Sequence, residues 1–132
     1  MKVEPLNRSF GAKVSELSLP DLNQDQVQEI YKLWLKYALL IFPKQNLTNS
    51  QQIEFAKNFG ALEFDLSPIS NVRNDGSIRD ANDDDIVKSL KGNMEWHHDS
   101  TYMPIQAKGA VFTAHKVPKK GGETGWADMR AA

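Results

Sequence analysis

"NMEWHHDSTY", residues 93 to 102, sets two histidines side by side and follows them with an aspartate. Three metal-capable side chains in a row make the backbone geometry decisive. Trp, Thr and Tyr favour an extended segment. There, side chains two apart share a face, about 6.6–6.8 Å from each other. His97 and Asp99 then converge on one ion, and His98 points away. An imidazole nitrogen and a carboxylate oxygen each bind a divalent metal at about 2 Å. A third ligand from a distant strand would complete a two-histidine, one-carboxylate face with three open positions, as in non-haem Fe(II) oxygenases. His-x-Asp taken alone also occurs as an ordinary hydrogen-bonded pair. A Ser-His-Asp hydrolase using Ser100 is a poorer reading. No Gly-x-Ser-x-Gly elbow is present, and a His and an Asp on one short strand do not aim an imidazole at a nucleophile.

Around this stretch the chain has ordinary globular proportions. It has 132 residues, 40% hydrophobic and 25% charged, which predicts one globular domain rather than a disordered or fibrous chain. The formal charge is −1, so no bulk field draws the chain to nucleic acid or an anionic membrane, and small molecules are the expected partners. With no cysteine, disulfides, thiolate metal sites and a cysteine nucleophile are all excluded. The longest apolar run, "YALLIF", is far short of a spanning helix or a signal-peptide core, and the expected location is cytoplasmic.

Upstream, short alternations around Val3 and from Gly11 to Leu19, broken by Pro5, Gly11 and Pro20, suit edge strands or extended arms. Asn23 and Gln26 form a capping pair, and Val27, Ile30, Trp34 and Ala38 recur at helical spacing. "ALLIF", residues 38 to 42, closed by Pro43, predicts a strand covered on both faces. Thr48 and Gln51 open a second helix, with Ile53, Ala56 and Phe59 on one face and Gly60 placed to end it. Asn74-Asp75-Gly76 is a hairpin signal between "ISNVR" and "SIRDA". Asp83, Asp84 and Asp85 read as a solvated loop or a helix start. "GAVFTAHKV", from Gly109, alternates as a strand with Val111, Thr113, His115 and Val117 on one side. The turn "PKKGGETG" follows it, and Asp128 stands where a helix could be capped. The sequence stops about one turn later, so the chain reads as the first part of something longer.

"WHHDSTYMPIQAKGAVFTAHKVPKKGGETGWADMRAA", residues 96 to 132, resembles the TauD/TfdA family of Fe(II)- and 2-oxoglutarate-dependent dioxygenases. The family pattern is Trp-His-x-Asp-x-Thr/Ser-Phe/Tyr, a strand, then Gly-Gly-Asp/Glu-Thr. "ALLIFPKQNLTNSQQIEFAKNFGALE" looks like the family's strand and helix ending in Phe-Gly-x-Leu-Glu. "ISNV" with "DG", and "DMRAA", lean toward the branch typified by 2,4-dichlorophenoxyacetate dioxygenase. The resemblance covers nearly the whole chain.

It implies an α+β fold, a double-stranded β-helix (jelly roll, cupin-like) with flanking helices, of which residues 1–132 form the N-terminal part of a single incomplete domain. Carried over by position, it makes His97 and Asp99 iron ligands. It gives Thr124 a hydrogen bond to the distal carboxylate of 2-oxoglutarate, places Asn93 near cosubstrate or substrate, and makes residues 64 to 95 the lid over the substrate. Gly121 and Gly122 would permit the tight path before Thr124, as they would in a plain turn. Trp96 is expected to pack under the site, and His98 and His115 are not ligands. The chemistry implied is oxidative decarboxylation of 2-oxoglutarate to succinate and carbon dioxide with dioxygen, coupled to hydroxylation of a small organic acid. The family's second iron histidine and its 2-oxoglutarate arginine lie downstream of the Gly-Gly-x-Thr turn, so a fragment inactive by itself is expected. A homo-oligomer stays open, as do a non-catalytic cupin-like binding module and a zinc hydrolase built on His97 and Asp99.

Overall fold

The opening alternations become two paired strands, the second of which buries an apolar residue at every second position. In this computed structural model, which describes residues 1–7 and 10–132, β1 (Lys2–Pro5) runs antiparallel to β2 (Ala12–Ser15), with Val3 opposite Val14. Ala12 and Val14 are fully buried. A parallel strand, β3 (Leu40–Ile41), joins the other side of β2. The order β1-β2-β3 makes β2 central, where an edge strand or arm is expected from its sequence.

Helix α1 (Gln24–Tyr37) starts at a complete capping box. The Asn23 side chain accepts from the Gln26 N–H at 2.9 Å, and the Gln26 side chain accepts from the Asn23 N–H at 2.9 Å. Val27 and Ile30 are buried as the period predicts. Ala38, expected on the same stripe, is instead exposed at the C-cap with φ 60°, because the helix stops at Tyr37, which is the buried residue there. The turn into β3 leaves only Leu40 and Ile41 extended. Ile41 faces solvent on an edge strand, so the strand predicted to be covered on both faces is shorter and half open.

Helix α2 (Asn49–Lys57) has its own box, between Thr48 and Gln51. It ends before Gly60: Asn58 is the cap, its side chain donating to the carbonyls of Glu54 at 3.2 Å and Phe55 at 3.1 Å. Ile53, Ala56 and Phe59 are half-buried on the expected face, and Phe55 completes it. Leu19, Ile30, Leu47 and Phe55 form the core, with Phe42, Phe59 and Val111 against it. Phe55 meets Phe42 and Phe59 edge-on, at 5.8 and 5.2 Å between centroids. Such pairs contribute about 0.5–1.5 kcal/mol each beyond burial. Gln45 ties the loops over this core, accepting from the Leu19 N–H at 2.9 Å and donating to the Leu17 and Pro43 carbonyls at 3.2 Å.

These elements belong to one compact unit, residues 1–62 with 111–132; residues 63–110 form a second. In the second unit the Asn74-Asp75-Gly76 hairpin is present as a turn with a single bridge, Val72 to Ile78, in place of two strands. Helix α3 (Asp85–Gly92) follows, capped by Asp84, which settles the acidic cluster as a helix start. The predicted strand from Gly109 joins no ladder among the described residues. Val111 and Thr113 are half-buried and alternate with exposed neighbours, but an extended segment without a partner has no interstrand bonds to define it. The described fold is therefore a three-stranded mixed sheet with helices. No helix among the described residues is long and apolar enough to cross a membrane.

Candidate metal site

Helix α3 delivers the chain to His97 through a series of local turns. Asp84 fixes its start, accepting from the Ile86 N–H at 3.0 Å and, through its other oxygen, from Arg73 at 2.8 Å and Arg79 at 3.3 Å. Burial pushes the Asp84 carboxyl up, yet the Ile86 N–H and the Arg79 guanidinium outweigh it and hold the group below the usual carboxylate range. At the other end Asn93 is the cap, its N–H donating to Ser89 O at 3.2 Å, while the Met94 N–H donates to Lys91 O at 3.1 Å and Glu95 to Gly92 O at 3.3 Å.

Residues 96 to 102 are not the extended ribbon expected from their composition. Asp99 to Tyr102 form a turn, with Ser100 at φ 60° and the Met103 N–H donating to Ser100 O at 3.1 Å. No described strand pairs with this stretch to impose the pleat, so local turn bonds prevail. The side chains still converge. His97 Nε2 stands 3.1 Å from Asp99 Oδ1, with both side chains about half exposed. His97 Nδ1 lies 2.7 Å from the Glu95 carbonyl, which can only accept, so Nδ1 carries the proton and donates. In the neutral ring Nε2 then presents its lone pair to a carboxylate oxygen. Two acceptors facing each other at this distance need a proton or a cation between them.

The separation accommodates a metal as well as a shared proton. Two donors at right angles on one ion, each about 2.1 Å away, stand about 3.0 Å apart, close to the observed 3.1 Å. An Nδ1–H bonded to a backbone carbonyl is the usual way a ligating histidine is oriented. The donors are one nitrogen and one oxygen, a set that suits iron and related divalent ions. Among the described residues no group of three or more His, Cys, Asp or Glu side chains is placed to hold an ion.

His98 is engaged elsewhere: the Gln106 amide approaches its Nδ1 at 2.5 Å and the Asp99 carbonyl at 3.3 Å. His115 is exposed and joins no ion pair described. Trp96, expected to pack under the site, is instead 75% exposed, at a bend ahead of His97. Asn93 has an exposed side chain in the same unit as the pair, while Thr124 belongs to the other unit and is also exposed. Ahead of Thr124, Gly121 and Gly122 take φ 78° and 77°, and a Cβ on Gly122 would meet Pro118 Cγ at 3.0 Å, so both glycines serve the turn itself. The Glu95 carbonyl and Gln106 escape sequence reasoning, the first because it is backbone and carries no side-chain signal.

The family model described as "Taurine catabolism dioxygenase TauD, TfdA family" matches residues 2–132. The chain belongs to the TauD/TfdA family. It is 57% identical over 131 residues to a protein of Sphingobium herbicidovorans named (S)-phenoxypropionate/alpha-ketoglutarate-dioxygenase, covering 98% of this chain and 46% of that one. It is 35% identical to the alpha-ketoglutarate-dependent 2,4-dichlorophenoxyacetate dioxygenase of Cupriavidus pinatubonensis, covering 97% and 50%. The crystal structure of AAD-2 in complex with Mn(II) and N-oxalylglycine superposes with a TM-score of 0.74 at 34% identity, over 81% of this chain and 40% of that one. The chain spans about half the length of the curated relatives it matches.

Proposed function

We propose that these residues carry part of the active site of an Fe(II)- and 2-oxoglutarate-dependent dioxygenase acting on a small organic acid of the phenoxyalkanoate class. The observation that carries the reading is the His97–Asp99 pair, whose donors stand 3.1 Å apart with the histidine already oriented by Glu95. Membership of the family supports it, as do relatives named for alpha-ketoglutarate and phenoxy acids. Residues 1–132 contribute the first part of one jelly-roll domain. The further iron histidine and the arginine for 2-oxoglutarate come from outside these residues.

In this reading His97 and Asp99 hold the ferrous ion. Bound iron with 2-oxoglutarate supplies oxygen activation: dioxygen, 2-oxoglutarate and a substrate C–H give succinate, carbon dioxide and the hydroxylated substrate. Asp99 contributes charge that favours a divalent cation, and Glu95 keeps the His97 Nε2 lone pair free to ligate. Thr124 donates its hydroxyl to the distal carboxylate of 2-oxoglutarate, a neutral donor suited to an anionic acceptor. Asn93 lies near cosubstrate or substrate, and residues 64 to 95 cover the substrate. Hydroxylation of the carbon next to an ether oxygen gives a hemiketal or hemiacetal, whose hydroxyl becomes a carbonyl as the ether C–O bond breaks, leaving a 2-oxo acid and the phenol.

The whole protein, given Fe(II), 2-oxoglutarate, air and (S)-2-phenoxypropionate, should form succinate and phenol in equal amounts. Phenol release without oxygen or 2-oxoglutarate would instead mark a hydrolase.

A further inference from the structure

Helix α1 ends with four carbonyls that no further turn of helix satisfies. Trp34 O accepts from the Ala38 N–H at 2.7 Å, and Tyr37 O from the N–H groups of Gly11 at 2.8 Å and Leu39 at 2.7 Å. The two between them are taken from far along the chain: Arg130 Nη1 donates to Leu35 O at 3.2 Å and to Lys36 O at 3.3 Å. The rest of the guanidinium grips Asp128, Nε to Oδ1 at 2.8 Å and Nη2 to Oδ2 at 3.0 Å. The Asp128 side chain, only 10% exposed, also accepts the Arg130 N–H at 3.0 Å. A planar fork can serve a carboxylate and two carbonyls at once, and a cation at a helix C-terminus is favoured by the helix dipole.

The other end of the same segment is fixed by a different helix. Gln52, on α2, donates Nε2 to the Val111 carbonyl at 3.0 Å, and Val111 packs on the core. Between these anchors the Phe112 and Trp126 rings meet at 6.2 Å, closing the base of a loop. From Ala114 to Gly125 every residue is exposed. Thr124 sits on this loop, beyond the two left-handed glycines.

We infer that Arg130 and Gln52 are positioning residues for the 2-oxoglutarate turn: by clamping the two ends of the 112–127 loop onto α1 and α2, they present Thr124 in one place. This role rests on the reading of Thr124 given above. Neither side chain need touch the cosubstrate. The clamp restricts the conformations open to an exposed loop whose own residues bury little, and so lowers the ordering cost of binding.

Two measurements on the whole protein test it. In metal-free protein, trypsin should cut after Lys116, Lys119 and Lys120 at least about fivefold faster in Arg130→Ala than in wild type, as expected when an anchoring contact is lost. Cutting at the end of α2, after Lys57, should be unchanged. In Fe(II)-loaded protein under argon, calorimetry should show the 2-oxoglutarate Kd rising about tenfold in Arg130→Ala, with Fe(II) affinity preserved. Arg130→Lys should recover only part, since an ammonium cannot serve carboxylate and carbonyls together. Gln52→Met, which frees the other end, should move both readouts in the same direction if Arg130→Ala does not fold. Unchanged cutting in both variants, or faster cutting with an unchanged 2-oxoglutarate Kd, overturns the inference. A wild type that binds no 2-oxoglutarate overturns the proposed function and the positioning role with it, while the trypsin comparison still separates a clamped loop from a free one.

Discussion

His97 Nε2 and Asp99 Oδ1 face each other at 3.1 Å, with the imidazole held from behind by the Glu95 carbonyl at 2.7 Å. The relationship holds without the strand that composition suggests: residues 97 and 98 lie outside any described strand or helix, and the turn from Asp99 to Tyr102 follows the pair. Removing either donor therefore removes half of what these residues offer an ion. Asp99→Asn and His97→Gln should each weaken Mn(II) binding to the whole protein by at least about 100-fold, since changes to residues behind the ligands alone cost about 10–100-fold. His98→Gln, at a side chain already engaged by Gln106, should leave Mn(II) affinity unchanged. An EPR titration of free Mn(II) measures all three.

Ala38 should be improvable. Its φ of 60° lies where a Cβ crowds the backbone, and its side chain is exposed, so nothing is lost on removing it. Ala38→Gly should stabilise by about 0.5–1 kcal/mol, the relief of a left-handed non-glycine residue less the extra freedom glycine has when unfolded. Thermal unfolding should shift up by a few degrees; an unchanged or lower midpoint would contradict the strain.

The capping box of α2 makes the opposite prediction. Thr48 accepts from the Gln51 N–H at 3.3 Å and its own N–H donates to the Gln51 side chain at 2.9 Å. Thr48→Ala should cost about 1 kcal/mol, and Thr48→Ser should restore most of it. Denaturant midpoints at constant slope provide the comparison.

Arg130 beside Asp128 holds the Asp128 carboxyl below its ordinary value of 3.8. The folded value is the lower one, so the contribution of the pair is fully present above pH 3.8 and is lost as the pH falls through the folded value. Carboxyl carbon shifts of Asp128 should titrate below the ordinary aspartate range in wild type and return toward it in Arg130→Ala. A midpoint at or above 3.8 in wild type would contradict the pairing.

Local chemistry was legible and partnership was not. Asn23 with Gln26, Thr48 with Gln51, and the Asn74-Asp75-Gly76 turn each satisfy their hydrogen bonds within a few residues, and each stands where its residues place it. The run from Gly109 to Val117 has the alternation of a strand, but a strand is completed by its neighbour, and none of the described residues pairs with it. The Ala38 stripe failed because periodicity does not mark where a helix stops. The cap that Arg130 gives α1 spans 94 and 95 residues, and a lone arginine near a turn carries no sign of it. In the candidate site the approach of His97 to Asp99 was expected, though from a pleat that these residues do not form, while which imidazole nitrogen faces the carboxylate depended on a backbone carbonyl.

The most direct test of the iron site is an anaerobic titration of the whole protein with Fe(II) and then 2-oxoglutarate. A weak visible charge-transfer band should grow in wild type and be absent from folded His97→Ala and Asp99→Ala. A band of undiminished intensity in either variant, or none in the wild type, would contradict the account.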